Sequence, residues 1–441
     1  MTATVPALDG QEAARDVLGF IGASPSPFHA CATAAARLEQ AGFTGVDETG
    51  PWPADGRHYV VRAGSLVAWQ APPGLAPAAP FTIVGAHTDS PNLRVRPRPD
   101  LSRAGVRQLG VEVYGGVLLN SWLDRDLGLS GRVALRSASG IEARLVLADR
   151  PLLRVPQLAI HLDREITSDG LRLNPQVHLV PLWGLGATDE GGFRRFLAAE
   201  LDVEPADVLG WEVMAHDVAP GTLVGPANEL LSSPRLDNLC SCWAAITALV
   251  ATASVSAGSV AAGSVRVVAL FDHEEVGSHS TSGAGGPLLA TVLERIALAR
   301  GAERDDWHRS RAGSVCVSAD GAHATHPNYA ERHDPAHQIA FGGGPVVKHN
   351  ASQRYATGAL GAARFVAACE RAGVPVQHYS HRNDLPCGST IGPITAARLG
   401  IDTVDVGAPQ LAMHSARELM GAADPGLLAR ALTEFYADHG H

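Results

Sequence analysis

Short, continuous apolar runs recur along the chain and predict buried β-strands. Four of them cover residues 81–85, 265–271, 315–319 and 403–406. Continuous rather than alternating hydrophobicity is typical of strands that are covered on both faces. Segments with helical spacing separate these runs, at residues 238–253, 287–300, 360–372 and 426–436. The alternation predicts an α/β fold, in which a parallel or mixed sheet carries helices on both faces.

The middle of the chain has a different pattern. From about residue 97 to residue 225, short β-branched segments are separated by Gly, Pro or charged turns, and few stretches there favour a long amphipathic helix. A chain of 441 residues also exceeds the usual size of a single core. We therefore predict a β-rich domain at residues 97–229, inserted into a discontinuous α/β domain formed by residues 1–96 and 230–441.

Composition excludes several classes of protein. A formal net charge of −10 argues against a nucleic-acid partner, because phosphate binding needs clustered Lys and Arg. No apolar stretch is long enough to span a membrane, and the N-terminal residues lack the pattern of a secretory signal. Six scattered cysteines favour reduced thiols over a disulfide scaffold, so we predict a cytoplasmic protein. Cys240 and Cys242 lack a second pair and are interpreted as core residues, not zinc ligands.

Side chains that can bind metals follow the predicted strands. They are His87, Asp89, Glu274, Glu275, Asp320 and His414. Ligands of such sheets bind outside the carboxyl ends of the strands, so these distant segments are expected to meet at one edge. Asp237, at a predicted helix start, adds another carboxylate. This mixture of carboxylate and imidazole groups predicts a site for zinc or a similar divalent ion.

Each of these signals is weak when it is taken alone. A lone His is usually solvated or satisfied in the core, and a Glu pair usually lies on the surface. Glu274 and Glu275, however, directly follow a seven-residue apolar run. Two-metal hydrolysis needs a bridging carboxylate between the cations and another carboxylate that stays off the metals and moves a proton. Two adjacent glutamates can divide those tasks, because neighbouring residues that leave a strand point in different directions.

The motifs resemble those of the aspartyl aminopeptidase family, the M18 group of metallopeptidases. The matching stretches follow the family's order over nearly the whole chain: GAHTDSPNLRVRP (85–97), SWLDRDLGLSGRV (121–133), LAIHLDRE (158–165), SPRLDNL (233–239), FDHEEVGS (271–278), SADGAHATHPNY (318–329), GPVVKHNASQRYAT (344–357), CGSTIGPI (387–394) and MHSARE (413–418). The resemblance implies a three-layer, zinc-exopeptidase-type mixed sheet, with the β-rich insert as a dimerisation domain.

The resemblance also assigns roles to the metal-binding side chains. It implies two zinc ions per subunit, replaceable by cobalt or manganese, with His87, Asp237 and Asp320 at one and Asp237, Glu275 and His414 at the other. Glu274 would be the general base, and Asp89 would orient His87. His273 stands where the family more often has Asn, and Gly321 stands where Met is common. Neither departure falls on an implied ligand.

Four further residues match family positions that contact substrate: His161, His323, Lys348 and Tyr355. His161 would reach the active site of a neighbouring subunit, which implies a homo-oligomer, expected to be a dodecamer built from dimers. Lys348 is the candidate partner for an acidic substrate side chain, because a buried carboxylate needs a cation. The residue type alone favours a surface lysine instead.

The sequence leaves three functions open. The first is a zinc-dependent aminopeptidase that removes N-terminal Asp or Glu from peptides by means of a metal-activated water. The second is a related two-zinc aminopeptidase that prefers neutral residues. The third, from another class, is a non-catalytic assembly protein that keeps metal for structure. The presence of Glu274 argues against the third function.

Overall fold

The computed structural model describes residues 10–253 and 263–437. The chain forms two compact units, of which the first comprises Met1–Asp89, Gly221–Met413 and Glu418–His441. The second unit comprises Ser90–Pro220 and His414–Arg417. The divisions in the chain come seven to nine residues before the expected boundaries at 96/97 and 229/230. A long strand of the second unit already begins at Asn92, and a strand of the first unit already begins at Thr222.

The helices expected from the sequence are present with small shifts at their ends, and further helices accompany them. In chain order they are α1 (Gly10–Gly22), α2 (Pro27–Gln40), α3 (Ile166–Asp169), α4 (Pro175–His178), α5 (Gly192–Leu201), α6 (Leu236–Ala253), α7 (Leu288–Ala299), α8 (Arg304–Ala312), α9 (Ala359–Ala372), α10 (Ile391–Leu399) and α11 (Asp424–Tyr436). Among the described residues, no helix is both long and apolar enough to cross a membrane.

The strands form three sheets. In chain order they are β1 (Thr44–Gly45), β2 (Gly56–Arg62), β3 (Ser65–Ala71), β4 (Phe81–His87), β5 (Asn92–Arg103), β6 (Val106–Tyr114), β7 (Leu127–Ser137), β8 (Gly140–Leu153), β9 (Leu182–Leu185), β10 (Val208–Asp217), β11 (Thr222–Val224), β12 (Leu230–Ser233), β13 (Val265–Phe271), β14 (Val315–Ala319), β15 (Ala322–His323), β16 (Val346–His349), β17 (Gln377–Ser380), β18 (Asp402–Gly407), β19 (Pro409–Leu411) and β20 (Glu418–Gly421).

The first unit is built on a nine-stranded mixed sheet, in the order β1-β2-β3-β13-β4-β14-β18-β16-β17. The central strands β13, β4, β14 and β18 are parallel, whereas β3 pairs antiparallel with β13 and β16 pairs antiparallel with β18. All four apolar runs predicted as buried strands lie in this centre. The prediction of a mixed sheet is confirmed.

Helices cover both faces of this sheet. Successive residues of a strand point to opposite sides, so each strand contributes apolar side chains to both faces. Along β4, Val84 packs into a core with side chains of α1, α2, α6, α9 and α11. Ile83 packs into the opposite core, with side chains of α7, α8 and α10. The continuous apolar runs thus supply two cores at once, and the three-layer α/β prediction is confirmed.

The second unit contains a six-stranded antiparallel sheet in the order β8-β7-β10-β5-β6-β9. Its core combines strand residues such as Leu129 and Val213 with Phe193 and Leu197 of α5. The interpretation of this region as β-rich was therefore correct, but the ten-residue helix α5 was not identified. Gly191 precedes it and Gly192 is its first residue, and glycines are weak markers of a helix start.

The six cysteines all lie among the described residues and are free thiols. Cys240 and Cys242 are buried in the core on α6, so the interpretation of both as core residues is confirmed.

Candidate metal centre

Three adjacent parallel strands of the first unit bring acidic and imidazole groups to one edge. β4 lies between β13 and β14 and ends at His87. Glu274 and Glu275 follow the end of β13, and Asp320 follows the end of β14. Because the carboxyl ends of parallel strands meet at one edge of the sheet, sequence-distant side chains become neighbours. Asp237 joins them from the first turn of α6.

His87 is the centre of this group. Its Nε2 atom lies 3.3 Å from Asp237 Oδ1 and 3.5 Å from Asp320 Oδ1, and all three side chains are buried. Its Nδ1 atom lies 3.0 Å from the backbone oxygen of Asp89. A carbonyl oxygen only accepts, so Nδ1 carries a proton, and in the neutral tautomer the lone pair is on Nε2, the atom that would face a cation held by the carboxylates. That tautomer is the one needed in a metal ligand.

Asp89 holds the glutamate pair in place. Its carboxylate is fully buried and accepts hydrogen bonds from the backbone nitrogens of Glu274 and Glu275, each at 3.1 Å. The same carboxylate lies 3.5 Å from His87 Nδ1, whereas the shorter contact to His87 comes from the Asp89 backbone oxygen. Asp89 thereby connects the end of β4 to the turn after β13. From the sequence, Asp89 was expected only to orient His87.

The electrostatics of this edge favour a cation. Burial alone would lower the pKa of His87, but Asp237, Asp320 and Asp89 outweigh it and raise that pKa well above 6.5. Burial, together with the carboxylates of Asp320, Asp89 and Asp237, raises the pKa of Glu274 well above 4.5. So many acidic groups in a buried place require a positive charge for compensation.

The donor set fits a divalent ion. His87, Asp237 and Asp320 each offer one ligand atom, and these atoms lie within 4.8 Å of one another. His87, Glu274 and Glu275 form a second group that meets the same limit. One imidazole with several carboxylates is a set that zinc and similar ions accept. His273 is in neither group; its Nδ1 atom lies 2.9 Å from Ser280 Oγ, beside the turn that carries Glu274.

Lys348 is the only lysine in the chain, and it lies beside this group. Its side chain is buried, so the surface position that the residue type alone favours does not apply. The Nζ atom donates to the backbone oxygens of Asp320 at 3.3 Å and Gly321 at 3.1 Å, and it lies 4.0 Å from Asp320 Oδ2. Lysine brings a compact amino group to this buried position, whereas arginine would bring a larger, planar guanidinium.

His323 and Tyr355 lie near Lys348. Lys348 Nζ is 5.1 Å from the centre of the Tyr355 ring, and Tyr355 is buried. Burial, together with Lys348 and His381, lowers the pKa of His323 to about 4. His323 is therefore a neutral imidazole at physiological pH. Tyr379 packs between these residues, with ring centres 6.2 Å from His323 and 6.5 Å from Tyr355.

Two predicted site residues belong to the second unit. His161 lies in a short 3-10 turn, Ile160–Leu162, and its side chain is exposed. His414 Nδ1 lies 3.0 Å from the backbone oxygen of Gly116. Since that oxygen can only accept, Nδ1 carries the proton and Nε2 has the lone pair, as a metal ligand requires.

A donor set of this kind, at the carboxyl ends of a mixed sheet, is typical of metal-dependent hydrolases. The chain belongs to the M18 family of aminopeptidase I zinc metalloproteases, whose profile matches residues 20–436. It is therefore a metalloaminopeptidase of that family. It is 56% identical over 422 residues to the probable M18 family aminopeptidase 2 of Streptomyces avermitilis, covering 95% of this chain and 96% of the relative.

Solved structures of M18 proteins share the fold. The subunit in the cryo-EM structure of the Ape4 and Nbr1 complex has a TM-score of 0.93 and 36% identity, covering 99% of this chain and 87% of that one. The S. cerevisiae mApe1 dodecamer has a TM-score of 0.81 and 27% identity, covering 96% of each chain. Both similarities extend over the two units described above.

Proposed function

We propose that this protein is a two-zinc aminopeptidase that removes acidic residues, Asp or Glu, from the N-terminus of peptides. The observation that carries the proposal is the buried group of His87, Asp237 and Asp320 beside a glutamate pair whose backbone is held by Asp89. Membership in the M18 family supports the zinc and the aminopeptidase activity. Free thiols throughout the described chain support a reducing, cytoplasmic location.

The two metal sites would divide the donors between them. We assign His87, Asp237 and Asp320 to one ion and Asp237, Glu275 and His414 to the other, so that Asp237 bridges. Zinc is the expected metal, with cobalt or manganese as substitutes. When bound, the ions would lower the pKa of a shared water and polarise the scissile carbonyl. Glu274 stays off the metals, accepts the proton of the attacking water and donates it to the leaving amine.

The acidic preference rests on Lys348. An acidic side chain that leaves water needs a cationic partner, and the only lysine of the chain lies buried next to a proposed ligand. His323 and Tyr355 would line the same pocket. One observation favours the neutral-preferring alternative: Lys348 already donates to two backbone oxygens, which leaves one of its three N–H groups for substrate.

Chromogenic substrates test this preference. We expect kcat/KM for glutamyl or aspartyl p-nitroanilide to exceed that for the leucyl compound by at least about tenfold, equivalent to 1.4 kcal/mol. Replacing Lys348 with Met should remove most of that ratio, because the pocket loses its cation. Arg354→Gln is the matched control, since Arg354 lies in the neighbouring loop and is exposed. A wild-type enzyme that cleaves the leucyl substrate tenfold faster would refute the acidic preference.

We also propose that the protein assembles with itself into a dodecamer built from dimers. A relative with the same fold forms a dodecamer. Apolar side chains flank His161 on the surface of the second unit, with Leu158 56%, Ile160 53% and Leu162 75% exposed. Exposed apolar patches of this kind mark protein contacts. The second unit is the proposed dimerisation domain, and His161 would bind substrate in the partner's active site.

Subunit complementation tests the role of His161. His161→Ala and Glu274→Gln variants should each be nearly inactive. Mixed by unfolding and refolding, they should recover about a quarter of the wild-type sites, because half of random dimers are mixed and one site in each is intact. Light scattering after size-exclusion chromatography measures the assembly. A mixture that stays inactive, or a fully active monomer, would contradict action between subunits.

A further inference from the structure

Asp405 is a fully buried carboxylate with no role in the proposed reaction. It lies on β18, and two segments donate hydrogen bonds to it: Thr390 Oγ1 at 2.6 Å to Oδ1, and the backbone nitrogen of Ala356 at 2.6 Å to Oδ2. A Cβ atom at Gly392 would lie 2.3 Å from Oδ2. Helix α10 therefore packs directly on the carboxylate, and the group has one well-defined position.

One of the two partners of Asp405 adjoins the proposed substrate pocket. Ala356 directly follows Tyr355, and Thr390 caps the N-terminus of α10. On the other side, β18 pairs antiparallel with β16, with Val347 opposite Val406. Continuing that register by one residue places Lys348 opposite Asp405, and residues directly opposite each other project on the same face.

Charge supports the same connection. Burial raises the pKa of Asp405 above 3.8, whereas the positive charge of Lys348 and the donors Thr390 and Ala356 counteract that rise. Lys348 is thus attracted by two acidic groups, Asp320, whose Oδ2 atom lies 4.0 Å from its Nζ, and Asp405 on the paired strand. Nearby buried charges of opposite sign stabilise each other, since losing one leaves the other less compensated.

We propose that Asp405 is a positioning residue for the substrate pocket, holding Lys348 and the backbone after Tyr355 in one arrangement beside Asp320. The inference rests on the proposed function of that pocket. It extends the pocket by a residue that touches neither substrate nor metal. Substrate binding is the property that Asp405 controls, because both groups that it holds are pocket residues rather than proposed metal ligands.

The variant Asp405→Asn tests the proposal, because the amide keeps the size of the side chain and removes its charge. We expect KM to rise about tenfold, kcat to change less than about threefold, and zinc content to stay at the wild-type value. The assay uses whichever aminoacyl p-nitroanilide the wild-type enzyme hydrolyses fastest. If the wild-type enzyme shows no preference for acidic substrates, the proposed specificity is wrong, but the effect of Asp405→Asn on KM can still be measured. The two failures are therefore distinguishable.

Asp402→Asn is the matched control, since Asp402 begins the same strand but is exposed and pairs with Arg364 at 3.1 Å. It should leave KM unchanged. Gly392→Ala is the second variant: it keeps the charge of Asp405 but displaces the carboxylate, and KM should rise here too. An unchanged KM in both Asp405→Asn and Gly392→Ala, even with lower thermal stability, would overturn the proposal.

A double-mutant cycle with Lys348→Gln separates positioning from general damage. If Asp405 acts through Lys348, the combined effect on KM should be about tenfold smaller than the product of the single effects. Effects that multiply fully would show that the two residues act independently, which overturns the proposal. A merely structural role would lower the melting temperature without producing this coupling.

Discussion

Replacing Glu274 with Gln is expected to lower kcat by about 10²–10⁴-fold while the protein keeps its zinc. Gln has the same shape but cannot accept the proton of the attacking water. The backbone of this position is held by Asp89, through the 3.1 Å bond from the Glu274 nitrogen, and Gln leaves that bond intact. The proton-transfer step should therefore be lost without a change in the fold.

Glu275→Gln is the matched control, because it changes the neighbouring residue, whose nitrogen donates to the same carboxylate. Because Glu275 is a proposed metal ligand, the Glu275→Gln variant should lose zinc, whereas the Glu274→Gln variant should keep it. Elemental analysis of both variants, with kcat from a steady-state assay, distinguishes the two roles. Glu274 also has a ligand atom within 4.8 Å of those of His87 and Glu275. Loss of zinc from Glu274→Gln would make Glu274 a ligand and refute its role as the base.

The arrangement of the first unit could be predicted from its strands because their hydrophobic pattern was continuous. The runs at 265–271 and 315–319 became β13 and β14 with the same bounds. A strand buried on both faces has to be central and covered by helices, and its carboxyl end then marks the edge where ligands bind. Position relative to the strand ends was thus enough to predict that His87 and Asp320 meet at one edge, whereas Asp237 was added from a helix start and its grouping with them came from the family resemblance.

The supporting contacts could not be predicted in the same way. Nothing in the local sequence shows that the carboxylate of Asp89 accepts from the backbone of Glu274, because that contact depends on how the turn after β13 folds. The burial of Lys348 could not be predicted from its residue type, since lysines are usually exposed; only the family resemblance indicated a role in the site. One signal was available: it is the only lysine of the chain. Asp405 gave no signal at all, because the two groups that donate to it, Thr390 and the backbone of Ala356, are distant from it in the sequence.

Domain boundaries were the least predictable part of the fold. The bounds of the inserted domain, residues 97–229, were placed where the hydrophobic pattern of the sequence changes. Strand β5, however, begins at Asn92 and crosses the expected boundary. The returning boundary was placed after β11, although Thr222–Val224 pairs with β12 in the first unit. Strand pairing between distant segments decides both boundaries, and a local pattern contains no information about such partners.

Replacing Asp237 with Asn is expected to remove zinc from both sites and to lower activity by at least about 10³-fold. Two cations about 3.5–4 Å apart repel each other, and a bridging carboxylate offsets that repulsion. An amide has the same shape but no charge, so it cannot offset the positive charge of either ion. The backbone nitrogen of Asp237 donates to Glu418 Oε2 at 2.9 Å, a contact that the variant retains.

Asn238→Ala is the control for local damage, because Asn238 is the next residue, is fully buried and donates to the backbone oxygen of Ala319 at 2.9 Å. That variant is expected to lose stability but to keep about the wild-type zinc content, since an uncharged side chain at this position compensates no cation. Metal content, thermal melting and kcat should be measured on both purified proteins. If Asp237→Asn kept two zinc ions per subunit, Asp237 could not be the bridge, and the pairing of the two metal sites through a shared carboxylate would be wrong.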